Sequence, residues 1–252
     1  METYVLEACV DSVESALAAV KGGANRLEVC ANLVIGGTTP GVSQFKQIRE
    51  LCDIPLHVLV RPRYGDFLYT EREFQMIAED AEMFCNLGAD GIVTGCLRPD
   101  GSLDVQRMEI LREKISDAHL TLHRAFDVCR DPYETLEQAV ELGVDTILTS
   151  GQQETCRQGK DLVRKLIQQA GRRIHILIGS GVNAGTIAYF MDEMNARNFH
   201  MSGKMILDSE MTYRKENVSM GIPGLGEYDI FRTDERQIRQ AVEVILERLG
   251  RI

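Results

Sequence analysis

His119-Leu120-Thr121-Leu122-His123-Arg124-Ala125-Phe126-Asp127 decides how this chain is read. The run up to Leu122 is apolar enough for a buried strand, and it ends in a histidine, an arginine and, soon after, an aspartate. Ionisable groups are rarely buried without partners, so a strand that delivers three of them at its C-terminal end builds a site rather than a core. Other apolar runs share the layout: Tyr4–Ala8, Arg26–Val29, Leu56–Val60, Gly91–Thr94, Thr146–Thr149, Ile174–Ile178 and Phe199–Met201. Helical patterns lie between them, for example Val13–Val20, Glu71–Leu87, Pro132–Leu142 and Lys160–Ala170. Gly23-Ala24, Gly88-Ala89 and Gly143-Val144 follow three of the helices, where a glycine accepts the left-handed conformation of a helix end. A polar or acidic residue then precedes the next strand.

Alternating strands and helices imply a parallel sheet. With Leu120–His123 the strands number eight, and eight such units in 252 residues predict one (β/α)8 TIM barrel domain spanning 1–252. An open doubly wound sheet, the alternative, usually carries a Gly-x-Gly-x-x-Gly turn after its first strand, and the turn after Ala8 contains no glycine. The segment Asp208–Tyr228 reads as irregular and is expected to fold over one mouth of the barrel. An amphipathic helix near Thr233–Leu249 follows it.

Composition bounds the function. A net charge of −10 argues against nucleic acid, whose phosphates need a basic face. No apolar run approaches the ~20 residues of a membrane span, and Met1-Glu2-Thr3-Tyr4 has no basic, then apolar, signal-peptide pattern. The seven cysteines are scattered, with no Cys-x-x-Cys pair, which speaks against a zinc ribbon, a thioredoxin-type site or a disulfide framework. A reducing cytoplasm with mostly buried thiols is the expectation.

In this fold, function sits at the C-terminal ends of the strands. The first two strands offer Glu7 with Cys9 and Glu28 with Cys30; the third ends in Arg61-Pro62-Arg63. The fifth gives His123, Arg124 and Asp127, the sixth Thr149 and Ser150, the seventh Gly179-Ser180-Gly181, and the eighth His200 and Ser202. Glu7, Glu28, His123 and Asp127 are the candidates for proton transfer, since histidine and carboxylates are the usual acids and bases near neutral pH. Arg61, Arg63, Arg124, Ser150, Gly179, Ser180, His200 and Ser202 are the candidates for holding a ligand. The backbone of the Gly179–Asn183 turn, which opens a helix, is a candidate anion cradle. The bland alternatives are an ion-pair layer of Glu7 and Glu28 with Arg61 and Arg124, a hydrogen-bonded core histidine at His123, and a plain tight turn at Gly179. Gly36-Gly37-Thr38-Thr39-Pro40-Gly41 reads as a mobile loop over the mouth.

A Schiff-base mechanism needs a lysine at a strand end, and only Lys204 lies near one; no pair of histidines has zincin spacing. Nothing points to an organic cofactor. Side chains two apart on a strand face the same way and neighbouring strands lie about 4.8 Å apart, so Cys9 and Cys30 should each lie one layer beyond a glutamate. Two thiolates at that spacing suit Cu(I); two small buried hydrophobes are the plain alternative.

The chain resembles the CutC family, which is named for a proposed role in copper homeostasis. The likeness runs through Glu7-Ala8-Cys9-Val10-Asp11-Ser12, Gly22–Cys30, Gly36-Gly37-Thr38-Thr39-Pro40, Arg61–Tyr69, Gly88–Val93, His123–Asp127 and Leu148-Thr149-Ser150-Gly151. Phe199-His200-Met201-Ser202 and Met211-Thr212-Tyr213-Arg214 complete it. The resemblance implies a (β/α)8 barrel, a cytoplasmic location, a homo-oligomer, and Cu(I) ligation by Cys9 and Cys30. Tyr64, Gly41 and Leu122 depart from the family's usual glycine, serine and phenylalanine, and leave the charged set intact. Two readings follow: a cytosolic Cu(I)-binding protein, or an enzyme acting on a small anionic, phosphate- or carboxylate-bearing metabolite. The residue chemistry favours the second, and the resemblance favours the first.

Overall fold

The structure is a computed structural model and describes residues 4–218, 220–222 and 224–251. Its elements are β1 (Val5–Val10), α1 (Val13–Gly22), β2 (Arg26–Val29), α2 (Val42–Leu51), β3 (Leu56–Leu59), α3 (Glu71–Asn86), β4 (Gly91–Thr94) and α4 (Val105–Ile115). They continue with β5 (His119–Leu122), α5 (Pro132–Glu141), β6 (Thr146–Thr149), α6 (Lys160–Ala170), β7 (His175–Ile178), α7 (Ala184–Met194) and β8 (Asn198–Met201). The chain ends in β9 (Lys204–Asp208), β10 (Asp229–Thr233) and α8 (Glu235–Arg248). Strands β1 to β8 form a closed parallel barrel in sequence order, with β8 pairing β1. This is the predicted (β/α)8 barrel, and its strands fall within a few residues of the predicted ones.

A three-residue device repeats along the chain and explains the Gly-Ala and Gly-Val pairs. Gly23, Gly88 and Gly143 take φ of 98°, 93° and 67° and end their helices. Ala24, Ala89 and Val144 then bury against the core. Asn25, Asp90 and Asp145 each accept a hydrogen bond from the backbone of the preceding strand, at Leu6, Leu56 and Leu120, all 2.8 Å. The polar residue before β2, β4 and β6 therefore locks each to its odd neighbour. Helix starts are equally local: Ser12, Thr70 (with Glu73 in a reciprocal box), Asp131 before Pro132, Asn183 and Asp234 cap their helices.

The apolar core is the shell between strands and helices, with Phe45, Phe84, Phe126, Phe190 and Phe199 fully buried in it. The inside of the barrel is different. Leu59 and Val93 pack there beside Cys30, but buried Glu7, Arg26, Glu28, His57, Thr121 and His123 share the space. Barrel interiors are ordinarily filled by layers of branched aliphatic side chains, so this polar axis is the first structural sign of function.

The described part of Asp208–Tyr228 is irregular from Ser209 on, as expected, but it is the connection of a hairpin. β9 and β10 bracket that segment as an antiparallel hairpin, pairing Lys204 with Thr233 and Asp208 with Asp229. β10 packs on α1, where the Thr233 amide donates to Ser15 Oγ at 3.2 Å. The segment between is mostly exposed, and its described residues do not line the mouth. A pairing across 20 intervening residues leaves no turn signal to read. No helix of the described residues is long and apolar enough to cross a membrane.

Candidate functional site

The site is built along the barrel axis from β1, β2, β3 and β8. Parallel register sets Glu7 beside Arg26 and His200, and Glu28 beside Cys9 and His57. Glu7 is fully buried. Its Oε2 accepts from Arg26 Nε at 2.6 Å and its Oε1 lies 2.7 Å from His200 Nδ1. Burial pushes the Glu7 carboxyl up, but Arg26, the His200 hydrogen bond and charge, and His57 hold it far below the usual carboxylate range. Glu7 is thus held as an anion between Arg26 and His200.

Glu28 is the opposite case. Only 5% of it is exposed, and its Oε2 is buried with no hydrogen-bond partner among the described residues. Burial raises its pKa to about 7, with His200 pulling down, Glu7 pushing up and Arg26 pulling down. His200 Nδ1 lies 3.9 Å from that same oxygen. Burial would lower the His200 pKa, yet Cys9, Glu28 and Glu7 together hold it well above the ordinary histidine range. A carboxyl able to titrate near neutrality therefore faces an imidazolium fixed by Glu7.

Above this pair a cavity of about 100 Å³ opens, lined by Glu28 and His200 below and by Arg61, Phe67, His123 and Arg124 at the sides. His123 Nδ1 accepts from the Ala125 amide at 3.2 Å, which places the proton on Nε2, and that Nε2 has no partner among the described residues. Burial and the Arg61 charge lower its pKa to about 3, so it is neutral at pH 7. Phe67 packs on its ring at 4.7 Å between centroids. Gly95 sits behind it, where a Cβ would come 2.7 Å from Leu122 Cδ1 and 2.9 Å from His123 Nδ1. Gly95→Ala is expected to cost about 1–3 kcal/mol through this overpacking and to shift the ring resonances of His123, as urea unfolding and NMR would show.

The other predicted residues divide. Arg61 lines the mouth and ties its loops, donating to the Gly36, Gly37 and Gly65 carbonyls. The Gly36–Gly41 loop does reach the mouth, held by these bonds and by Thr39 N to Arg61 O at 2.9 Å. Arg124 donates to Asp127 and Ser150, and its exposed end faces the cavity. Asp127 is saturated by Arg124, by Thr149 Oγ1, by the amide and hydroxyl of Ser150 and by the Gln152 amide. It anchors the loop after β6, and Ser150 serves the same anchor. Arg63 turns away to Glu73 and Asp66. The Gly179–Gly181 turn lies outside the cavity lining, closed by the loop after β6: Ser180 Oγ donates to the Glu154 carbonyl and the Cys156 amide to the Ser180 carbonyl. Ser202 gives its carbonyl to Thr233 Oγ1 near the hairpin.

Cys9 and Cys30 both face the interior, but not at one level. The register pairs Cys9 with Glu28, which sets Cys30 one step further along the axis. Cys30 Sγ contacts the Val10 carbonyl at 3.5 Å, and burial first, then Cys9, Glu28 and Asp11, push its thiol well above the usual range. Arg26 and His57 are the members that the sequence reading missed. Both lie low on their strands, where side chains usually serve stability, and the available signal was parity: Arg26, Glu28 and Cys30 share one face.

Residues 4–205 match the family model described as the CutC family. The chain is 44% identical over 247 residues to a family protein CutC of Bacteroides fragilis, covering 97% of this chain and 98% of that one. It is 40% identical to a family protein CutC of Pasteurella multocida, covering 96% and 99%. Among solved structures, CutC from Streptococcus agalactiae superposes with a TM-score of 0.76 at 29% identity, over 79% of this chain and 99% of that one. Thiamine phosphate pyrophosphorylase from Pyrococcus furiosus matches at a TM-score of 0.57 and 15% identity over 98% of both chains, a likeness of fold alone.

Proposed function

This chain belongs to the CutC family, and from that premise we propose that it is an enzyme acting on a small anionic metabolite by proton transfer at the C-terminal mouth of its barrel. The observation that carries the reading is the buried, unpartnered Oε2 of Glu28, 3.9 Å from His200 Nδ1, on a residue that lines the cavity. A buried acceptor left open costs roughly 1–3 kcal/mol, a cost that a catalytic acid or base justifies and a packing residue does not. Glu28 gives or takes the proton. His200, fixed by Glu7, supplies positive charge beside it. Arg124, Arg61 and the Nε2–H of His123 offer donors to a carboxylate or phosphate group.

A panel of small carboxylates and phosphate esters tests this by thermal unfolding. One ligand is expected to stabilise the protein by about 2.7 kcal/mol at 100 times its dissociation constant. That gain should survive Cys9→Ser/Cys30→Ser and disappear in Arg124→Gln. Arg124 is the better probe than Arg61, whose loss would untie two loops. No protection by any member, or protection indifferent to Arg124, sinks the reading.

Cu(I) binding is the second reading. It is favoured by two thiols that face one interior, and by the copper-homeostasis name carried by the Streptococcus relative. Thiolate suits Cu(I), and the ion would have to displace the proton that burial holds on Cys30. Anaerobic competition against a chromophoric Cu(I) chelator is expected to show one bound ion in wild type and none in Cys9→Ser/Cys30→Ser; equal binding by both removes these ligands. We further place the protein in the cytoplasm, in keeping with seven free cysteines, and as a homo-oligomer, in keeping with the exposed Ile206, Leu207, Met211, Tyr213 and Met220 on and beside the hairpin.

A further inference from the structure

A second cavity, of about 220 Å³, closes the other end of the barrel axis. Tyr4 lines it together with Val5, Arg26, His119, Thr146, His175 and Asn198, each of these six the first residue of its strand. The cavity therefore lies in the N-terminal mouth, on the opposite side of Glu7 and Arg26 from the site above. That end of such barrels usually carries stability and is packed shut. Here the positions hold an arginine, two imidazoles, an amide and a hydroxyl instead. Gly91, which opens β4, adds no side chain, and a Cβ there would meet the His57 ring at 2.7 Å.

The chemistry of the lining is one-sided. Arg26 is 8% exposed and gives Glu7 its Nε only. Its two Nη groups make no hydrogen bond among the described residues, although an almost buried guanidinium has five N–H donors to satisfy. His175, Asn198 and the His119–Thr146 pair, joined at 2.9 Å, add neutral polar groups around it. Among the described residues no aspartate or glutamate lines the cavity. A planar arginine fork with open Nη groups matches the oxygens of a carboxylate or phosphate.

We propose that this N-terminal cavity is a second ligand site, binding a small oxoanion on the Nη groups of Arg26 with His175 and Asn198 around it. The site lies at the opposite end of the barrel from the proposed proton transfer and meets it only through the Arg26–Glu7 pair. Its occupant adds a partner to Arg26 without taking Nε from Glu7, so the ion pair on the axis is braced from below.

Inorganic phosphate is the probe, compared with chloride at equal ionic strength. At ten times its dissociation constant phosphate should raise the melting temperature by roughly 3–6 °C, and it should move the ring resonances of His119 and His175. His175→Phe fills the cavity from an exposed position and should abolish both effects while leaving the fold intact. Arg26→Lys keeps a cation for Glu7, loses the Nη fork, and should weaken binding at least about tenfold, the loss of one charge-assisted hydrogen bond. Arg124→Gln, at the opposite mouth, should leave the phosphate-induced shifts of His119 and His175 as in wild type. Protection that persists in His175→Phe, equals wild type in Arg26→Lys, or is lost in Arg124→Gln overturns the proposal, as does the absence of any effect beyond chloride. Loss in Arg124→Gln alone would place phosphate in the upper mouth and would support the enzyme reading while ending this one.

Discussion

Arg26→Leu is expected to destabilise the protein by about 3–5 kcal/mol at pH 7.5, the usual cost of removing one member of a buried ion pair. The magnitude follows from burial: Glu7 is fully enclosed and Arg26 nearly so, so Oε2 loses its partner where no water replaces it and only His200 is left to the carboxylate. Arg26 is also the leading attraction that keeps Glu7 ionised. Its removal lets Glu7 take up a proton, and the deficit should depend on pH. In wild type, the depressed Glu7 pKa contributes stability above the ordinary value of 4.5, lost as pH falls below it. The variant lacks that contribution, so the gap should narrow as the pH falls below 4.5 and should still be open at pH 3. Urea unfolding at several pH values measures this. Glu7→Gln/Arg26→Leu should recover a large part of the loss, because a neutral pair carries no uncompensated charge. An Arg26→Leu deficit under 1 kcal/mol would mean that the axis is not held by this pair.

The second large effect belongs to Glu28→Gln. For a ligand that passes the Arg124 test and is turned over, the substitution should cut the rate by roughly 10²–10⁴, the range ascribed to a general acid or base. The same variant should be more stable than wild type at pH 8, by about 1–3 kcal/mol, since it removes a desolvated charge. The sign follows from the raised pKa. Folded Glu28 holds its proton up to about pH 7, against 4.5 for an ordinary glutamate. The stability that this proton confers is complete below 4.5 and is lost as the pH rises through 7. The gap between variant and wild type should therefore be near zero at pH 4 and widest at pH 8. A gain in rate, or a variant less stable at pH 8, would show that Glu28 is a structural acceptor.

Much of this architecture was open to inspection in the chain. The barrel followed from eight strand-helix units whose boundaries are marked by glycine and a polar residue. The structure adds the reason for the polar residue: it clamps the neighbouring strand. The functional face was legible only by strand, not by role. Glu28 and His123 look alike on paper, but their open or satisfied atoms depend on neighbours from other strands. The tautomer of His123 is set by its own chain, whose amide two residues on occupies Nδ1. Asp127 is surrounded by donors because the loop after β6 folds onto it, and a loop's destination leaves no periodic trace. The level of the two thiols depends on the stagger of a closed barrel, which sequence parity cannot reveal.

Closure of the barrel by β8 against β1 also has a history in time. Ribosomes add about 5–20 residues per second, so roughly 10–40 s separate the emergence of the first strand from that of the last. For that interval the outer edge of Val5–Ala8 lacks its partner, because Asn198–Met201 has yet to be made. Unpaired strand edges are templates for the wrong neighbour. The nascent chain thus carries an open seam with a glutamate in its middle, and the histidine that completes that glutamate's environment arrives on the strand that seals it. A charge placed on the last seam to close discourages premature pairing by a second chain, so the residue that orders the mature site also guards the unfinished one.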